Sequence, residues 1–160
     1  MKKILTILLI AAMTFGLVAC SGSGEKTANV EGSLEEIMDK VYAGIPSENL
    51  PMMLENQVVN EETEEWFLGT TDANYKEALA RESMVGSIAH SVVLLRNNDG
   101  GDVEALKDTI KSSINTNKWI CVGIPQEELI VDNIGDLVIV IMADSSIAPT
   151  LHENFTNLAK

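Results

Sequence analysis

Residues Leu137 to Ile141 constrain the fold most strongly, because all five of their side chains are apolar. A strand alternates its side chains between two faces, so this run is apolar on both faces and belongs inside a sheet. Gly135-Asp136 separates it from a second extended run, Glu128 to Ile134, and predicts a tight hairpin turn. We therefore expect Leu137 to Ala143 to form the central strand of a sheet, with Glu128 to Ile134 beside it.

Other segments carry helix and strand signals. Ser33 and Glu36 have capping-box spacing, and Asp102 suits a helix N-cap. Met84 to Leu95 is rich in β-branched residues and runs into the turn-forming sequence Arg96 to Gly101, which predicts the first strand. Apolar residues at helical spacing predict three helices, Leu34 to Ala43, Val103 to Asn115 and Ser146 to Leu158.

The segment from Ile45 to Asn74 has a weaker pattern. We expect it to be irregular apart from a short helix at Glu61 to Leu68, followed by a turn of helix at Ala73 to Ala80. The order of elements is then α, irregular, β, α, β, β, α. That order predicts an α+β domain with a small three-stranded, mainly antiparallel sheet and helices packed on it.

The N-terminus has the layout of a secretory signal peptide. Lys2 and Lys3 precede an apolar stretch from Ile4 to Val18, which is short for a membrane-spanning helix and ends at a small residue before Cys20. An ordinary signal with an incidental cysteine and a permanent membrane helix are the less favoured alternatives. We expect residues 1–19 to be the signal, 20–32 a flexible tether, and 33–160 a single domain.

Leu17-Val18-Ala19-Cys20 resembles the lipobox of bacterial lipoproteins. The resemblance implies a diacylglyceryl group on the Cys20 sulfur, cleavage before Cys20, and a domain held on the extracytoplasmic face of a cell membrane. Two acyl chains are enough for stable anchoring. The predicted partner is thus the membrane itself, which the chain contacts through the lipid on Cys20.

The rest of the chain also resembles a known kind of domain. The strand before Asn98-Asp99-Gly100, the helix after it and the hairpin Ile134-Gly135-Asp136-Leu137-Val138 are similar to a domain family of Gram-positive lipoproteins whose role is uncharacterised. The similarity covers roughly Leu34 to Phe155. It implies a small extracytoplasmic α+β domain and brings no catalytic signature.

Charge and cysteine content narrow the function further. Eleven Lys and Arg residues face 24 Asp and Glu, a net charge of −13, which would repel the phosphates of nucleic acid. Cys121 is the only cysteine besides Cys20, so a lipidated Cys20 leaves no intramolecular disulfide.

Few residues could form a catalytic or metal site. Cys121 with His90 or His152 could in principle form a nucleophilic pair, but the neighbours Trp119, Ile120 and Val122 favour a buried, inert thiol. Neither histidine has metal-ligand spacing, and the loop Asn98 to Asp102 lacks the glutamate of an EF-hand. We therefore assign no catalytic, metal or cofactor-binding residue.

Two further groups of residues have both a functional and a structural interpretation. The acidic residues Glu61, Glu62, Glu64 and Glu65 could bind a cation or act as paired carboxylates, although a solvated helix face is the simpler interpretation. Trp66-Phe67-Leu68 and Met52-Met53 could form a binding surface or pack on the core.

The catalytic signatures G-x-S-x-G, Walker A, G-x-G-x-x-G and H-E-x-x-H do not occur in the sequence. We therefore expect a non-catalytic domain that binds an envelope protein or a small ligand. A hydrolase using carboxylates or an unrecognised site is the alternative, and a purely structural envelope component is a third.

Overall fold

Five antiparallel strands form one sheet in the computed structural model, which describes residues 29–160. Their spatial order is β1-β2-β3-β5-β4, and each neighbouring pair is antiparallel. The predicted three-stranded sheet is therefore wrong, and β3 rather than β5 lies at its centre. The strands are β1 (Leu54–Val58), β2 (Tyr75–Ser83), β3 (Ser91–Asn97), β4 (Ile130–Ile134) and β5 (Leu137–Met142).

Two of the five strands carry little strand signal in their sequence. β1 reads Leu-Glu-Asn-Gln-Val, and β2 contains Lys76 to Glu82, a run dominated by good helix formers. Pairing with a neighbouring strand outweighs such local preferences, so the predicted helical turn at Ala73 to Ala80 is wrong. The predicted strand Met84 to Leu95 is also placed too early, because residues 84–90 connect β2 to β3.

Four α-helices flank the sheet. The two side-chain caps that the sequence predicts, at Ser33 and Asp102, are present. The Ser33 hydroxyl accepts from the Glu36 amide at 3.3 Å, and Glu36 accepts from the Ser33 amide at 3.1 Å. Asp102 accepts from two amides of the third helix, both at 3.1 Å. The helices are α1 (Leu34–Val41), α2 (Glu64–Leu68), α3 (Val103–Ser113) and α4 (Ala148–Thr156), with short 3-10 turns at Ser47–Asn49, Gln126–Glu128 and Asn157–Ala159.

The sheet is covered on both sides, which explains why β5 is apolar throughout. Helices α1 and α4 pack on what we call the first face, together with Leu94 and Ile139. The second face carries the alternate residues of the same strands, such as Val93 and Val140. It is covered by α2, α3 and the segment from residue 114 to 124.

Arg96, near the end of β3, holds the chain where it enters the domain. Its guanidinium donates to the carbonyl oxygens of Val30 and Gly32 at 3.2 and 3.1 Å and to a Glu77 carboxylate oxygen at 3.1 Å. Asn29 accepts from the Asp136 amide at 3.2 Å. The last residues of the predicted tether therefore lie at the end of the sheet that holds the β4–β5 turn.

The predicted signal, the lipobox and Cys20 lie outside the described residues. Between residues 29 and 160, no helix is long and apolar enough to cross a membrane.

Candidate functional site

A buried ion pair lies under the second face, close to β1. Glu82 on β2 accepts from the Lys118 ammonium at 3.1 Å, and their side chains are only 4% and 2% exposed. Both carboxylate oxygens of Glu82 are used, because Trp119 Nε1 donates to one at 2.9 Å and Trp66 Nε1 to the other at 3.1 Å. Full hydrogen bonding is the condition under which a buried carboxylate is tolerated.

Aromatic rings surround the Lys118 ammonium. Its nitrogen lies 4.9 Å from the centroid of the Trp66 ring, 4.8 Å from Phe67 and 5.1 Å from Trp119, within the range of cation–π attraction. Burial lowers the pKa of Lys118, and the Glu82 carboxylate opposes that shift. The ion pair therefore joins α2, β2 and the segment after α3 at one point and fixes the Trp66 indole.

A small cleft opens from this cluster to the surface. Its volume is about 230 Å³, and Trp66, Glu82 and Met84 line it with Gln57, Ser83 and Gly86. The Gln57 side-chain amide donates to the Met84 sulfur at 3.4 Å across the cleft. The cleft is too small for a drug-sized ligand, since such pockets begin at about 300 Å³, but it can accept a single side chain.

Exposed apolar side chains line this cleft or belong to residues whose main chain bonds to its wall. We call them the methionine patch: Met52, Met53, Trp66, Met84 and Ile120, which are 68%, 63%, 48%, 48% and 68% exposed.

Main-chain contacts hold the patch together. The Met84 amide donates to the Met53 carbonyl at 2.9 Å, and the Ile120 amide donates to the Gly86 carbonyl at 2.7 Å. A Cβ on Gly86 would lie 3.2 Å from the Ile120 side chain, so a larger residue there would crowd it. The patch is thus built from four separate chain segments, three of which are joined by these main-chain bonds.

The predicted acidic block does not form a shared site. Glu64 is buried and accepts from the Tyr75 hydroxyl at 3.1 Å, whereas Glu61, Glu62 and Glu65 are exposed. Burial, the hydrogen bond to Glu64 and its charge raise the pKa of Tyr75 to about 12. Across residues 29–160, no three His, Cys, Asp or Glu side chains converge to hold a metal ion.

A larger open cleft lies beside that tyrosine. It has a volume of about 480 Å³, with Tyr75 and Glu64 in its wall beside Val58 and Leu34. The Tyr75 hydroxyl and the Glu64 carboxylate are hydrogen-bonded to each other. The cleft therefore presents a satisfied pair rather than a free acid or base.

Cys121 and the two histidines lie in different surroundings. Cys121 is exposed, with a φ of 60°, so the expectation of a buried thiol is wrong. His90 is buried just before β3, and its Nε2 lies 2.7 Å from the Tyr42 hydroxyl oxygen. Burial lowers the pKa of His90 to about 4.

His152, on α4, lies 2.7 Å from an Asp132 carboxylate oxygen. Burial alone would raise the pKa of Asp132, but hydrogen bonds from His152 and the Asn133 amide outweigh it and lower that pKa. Among the described contacts, none joins Cys121 to a histidine, so the structure does not assemble the nucleophilic pair that the sequence left open.

Sequence reasoning found part of the methionine patch and missed its centre. Met52, Met53 and Trp66 had been singled out, but Glu82, Lys118 and Met84 had not. Glu82 falls in a polar run that predicts a helix, and an isolated lysine beside a tryptophan carries no specific signal. The main-chain bond between Met53 and Met84 and the contacts of Glu82 with Trp66 and Lys118 bring these residues together from distant parts of the chain.

The chain matches no protein-family model, no curated protein and no solved structure. Its resemblance to a Gram-positive lipoprotein domain therefore stays a prediction, and function has to be argued from the geometry above.

Proposed function

We propose that this chain is a membrane-anchored bacterial lipoprotein whose domain binds an envelope protein on the extracytoplasmic face without catalysing a reaction. The anchor is the lipid on Cys20, and the binding surface is the methionine patch. The observation that carries the binding proposal is the exposure of these five large apolar side chains around a cleft with a buried, fixed floor.

The chemistry of the patch suits a protein partner. Methionine adapts to varied apolar shapes, and tryptophan is enriched at the energetic centres of interfaces. The Trp66 indole is held by Glu82, so little conformational entropy would be lost from it on binding. A preorganised aromatic surrounded by adaptable side chains favours contact with another apolar surface.

The charges around the patch indicate what flanks that partner surface. Glu55 lies on β1 opposite Glu82, and Glu65 precedes Trp66; both are exposed. Lys118, the cation that contacts Trp66, is enclosed by the aromatic rings and paired with Glu82. An apolar segment flanked by Lys or Arg would therefore complement this surface, whereas an acidic one would be repelled.

The position of the patch supports the same proposal. Asn29, which leads towards Cys20, lies beside Asp136 at one end of the sheet. The patch lies at the other end, where β2 finishes at Ser83. The nine residues of β2 span about 26 Å at the usual rise per residue. A partner beyond the membrane surface could thus reach the patch while the anchor stays inserted.

The anchor is tested in cells with the full chain. A Cys20→Ser precursor should lose incorporation of a labelled fatty acid and should no longer fractionate with membranes as the processed protein. Retention of the cleaved form on the membrane without label would overturn the lipoprotein proposal.

The binding surface is tested with designed peptides. An amphipathic helix of leucine and lysine should shift the tryptophan fluorescence of a full-chain Trp119→Phe variant, in which Trp66 is the single tryptophan, in detergent micelles. The matched leucine and glutamate peptide should not, and Met84→Ser should weaken the response to the basic one. Equal responses to both peptides, or a response that survives Met84→Ser unchanged, would contradict the proposed surface.

A further inference from the structure

The outer edge of β1 has the features of a strand that pairs with another strand. The amide of Val59 donates to the Ala78 carbonyl at 3.0 Å, and the carbonyl of Met53 accepts from Met84, so odd-numbered residues bond inward to β2. Because main-chain groups alternate in direction along a strand, those of Leu54, Asn56 and Val58 point outward.

These outward groups have almost no partners among the described residues. The Thr63 hydroxyl donates to the Val58 carbonyl at 3.3 Å, which leaves that oxygen a second lone pair. Within residues 29–160, the outward main-chain groups of Leu54, Asn56 and Val58 make no other hydrogen bond. Val58 is also 65% exposed, although it is apolar and β-branched.

The opposite edge of the sheet is protected. On β4, the Asn133 amide donates to the Asp132 carboxylate at 2.8 Å, and the Lys107 ammonium donates to the Asn133 side chain at 2.7 Å. Charged side chains on an edge strand discourage pairing with another chain. β1 contains no lysine or proline, its single charged side chain is Glu55, and its register with β2 has no bulge.

The sequence of β1 is complementary to itself when two copies run antiparallel about Asn56. Leu54 then lies opposite Val58 of the second copy on one face, and Glu55 lies opposite Gln57 on the other. An apolar pair and an amide–carboxylate pair are both favourable, and Glu55 does not oppose its own copy. The three outward-facing residues form the hydrogen-bonded pairs, each of which exchanges two main-chain bonds.

We propose that two copies of this chain dimerise through β1, centred on Asn56, to form one continuous antiparallel sheet. The pairing covers Val58 and uses the free main-chain groups of the edge. It leaves Met52, Met53 and Ile120 outside the strand contact, whereas Gln57, in the wall of the cleft, lies in the pairing strand.

Disulfide trapping tests the register. The test uses the full chain in the cells that express it, on a Cys121→Ser background, and that parent shows whatever dimer Cys20 itself contributes. In a hydrogen-bonded antiparallel pair the two Cα atoms are about 5.5 Å apart, which a disulfide can span. Asn56→Cys should therefore give a disulfide-linked dimer under mild oxidation, well above the parent.

Two matched variants make the result specific. Glu55→Cys and Gln57→Cys should each give little dimer alone, but should cross-link when the two chains are expressed together. Adding Val58→Lys to Asn56→Cys should remove most of the linked dimer, because the lysine disrupts the contact with Leu54 and leaves β1 paired with β2.

Equal cross-linking at positions 55, 56 and 57 would mean random collision and would overturn the proposal. So would the absence of an Asn56→Cys dimer in chains that give the wild-type pattern of limited proteolysis. Neither result depends on whether Cys20 is lipidated, so failure of the dimer is distinguishable from failure of the proposed function.

Discussion

Helices cover both faces of the sheet, but different kinds of side chain fill the space beneath them. The first face, under α1 and α4, is filled by apolar side chains such as Ile139, Ile141 and Phe155, with the Tyr42–His90 pair beside them. The second face holds the Glu82–Lys118 ion pair and ends in exposed methionines. The first face thus contributes mainly to stability. The second face buries a charged pair and carries the exposed methionine patch.

The largest difference between the faces should come from the buried ion pair. Glu82→Gln leaves Lys118 without a countercharge among aromatic rings, and breaking a buried pair typically costs about 4 kcal/mol. We expect the free energy of unfolding, measured in urea, to fall by that order. The double variant Glu82→Gln, Lys118→Met should regain much of the loss, because it buries no charge.

A double variant no more stable than Glu82→Gln would contradict this account. It would show that the hydrogen bonds to the two tryptophans, rather than the buried charge, stabilise the second face.

On the first face, the largest effect should depend on pH. His90 has a pKa near 4 in the folded chain and about 6.5 when unfolded, so the unfolded state binds more protons between those values. Stability is therefore fully present above about pH 6.5 and is lost as the pH falls towards 4, by about 3 kcal/mol in all.

Urea unfolding at several pH values checks this expectation. His90→Gln should flatten the dependence between pH 4 and 6.5, since an amide can still bond to Tyr42 but does not titrate there. A variant that keeps the wild-type slope would place the titrating group elsewhere.

A smaller effect is expected where the first face meets β4. His152 and Asp132 are about a third exposed, so their ion pair is screened by solvent. His152→Ala should lower the free energy of unfolding by less than about 1 kcal/mol. Asp132→Asn serves as the matched variant, and a loss from either substitution as large as that of Glu82→Gln would erase the contrast between exposed and buried pairs.

The smallest effect on stability should come from the methionine patch. Met84 is half exposed, so Met84→Ser should change the free energy of unfolding by no more than about 0.5 kcal/mol. The same change should weaken binding of the basic amphipathic peptide. A large loss of stability without loss of peptide binding would show that Met84 stabilises the fold and does not contribute to a binding surface.

The predictable parts of the fold are those whose signal is local. The capping box at Ser33, the cap at Asp102 and the hairpin at Gly135-Asp136 each depend on residues a few positions apart, and each is present. β1 and β2 could not be predicted in this way, because their polar sequences become strands only by pairing with each other.

The candidate site shows the same limit. Trp66 stands out in the sequence, but its partner Glu82 is 16 residues away and Lys118 is 52 away. The Glu82–Lys118 pair is buried because segments far apart in the sequence enclose it, so it leaves no periodic pattern in the sequence. Such a site is visible only once the tertiary contacts are known.

Arg96 gives the domain a mechanical property. A pull on the chain at Asn29 would first strain the hydrogen bonds from this guanidinium to Val30 and Gly32. Arg96 belongs to β3, the central strand of the five, so the force would pass into the middle of the sheet before it could unwind α1. A domain tethered at this end would thus resist traction through the central strand of its sheet.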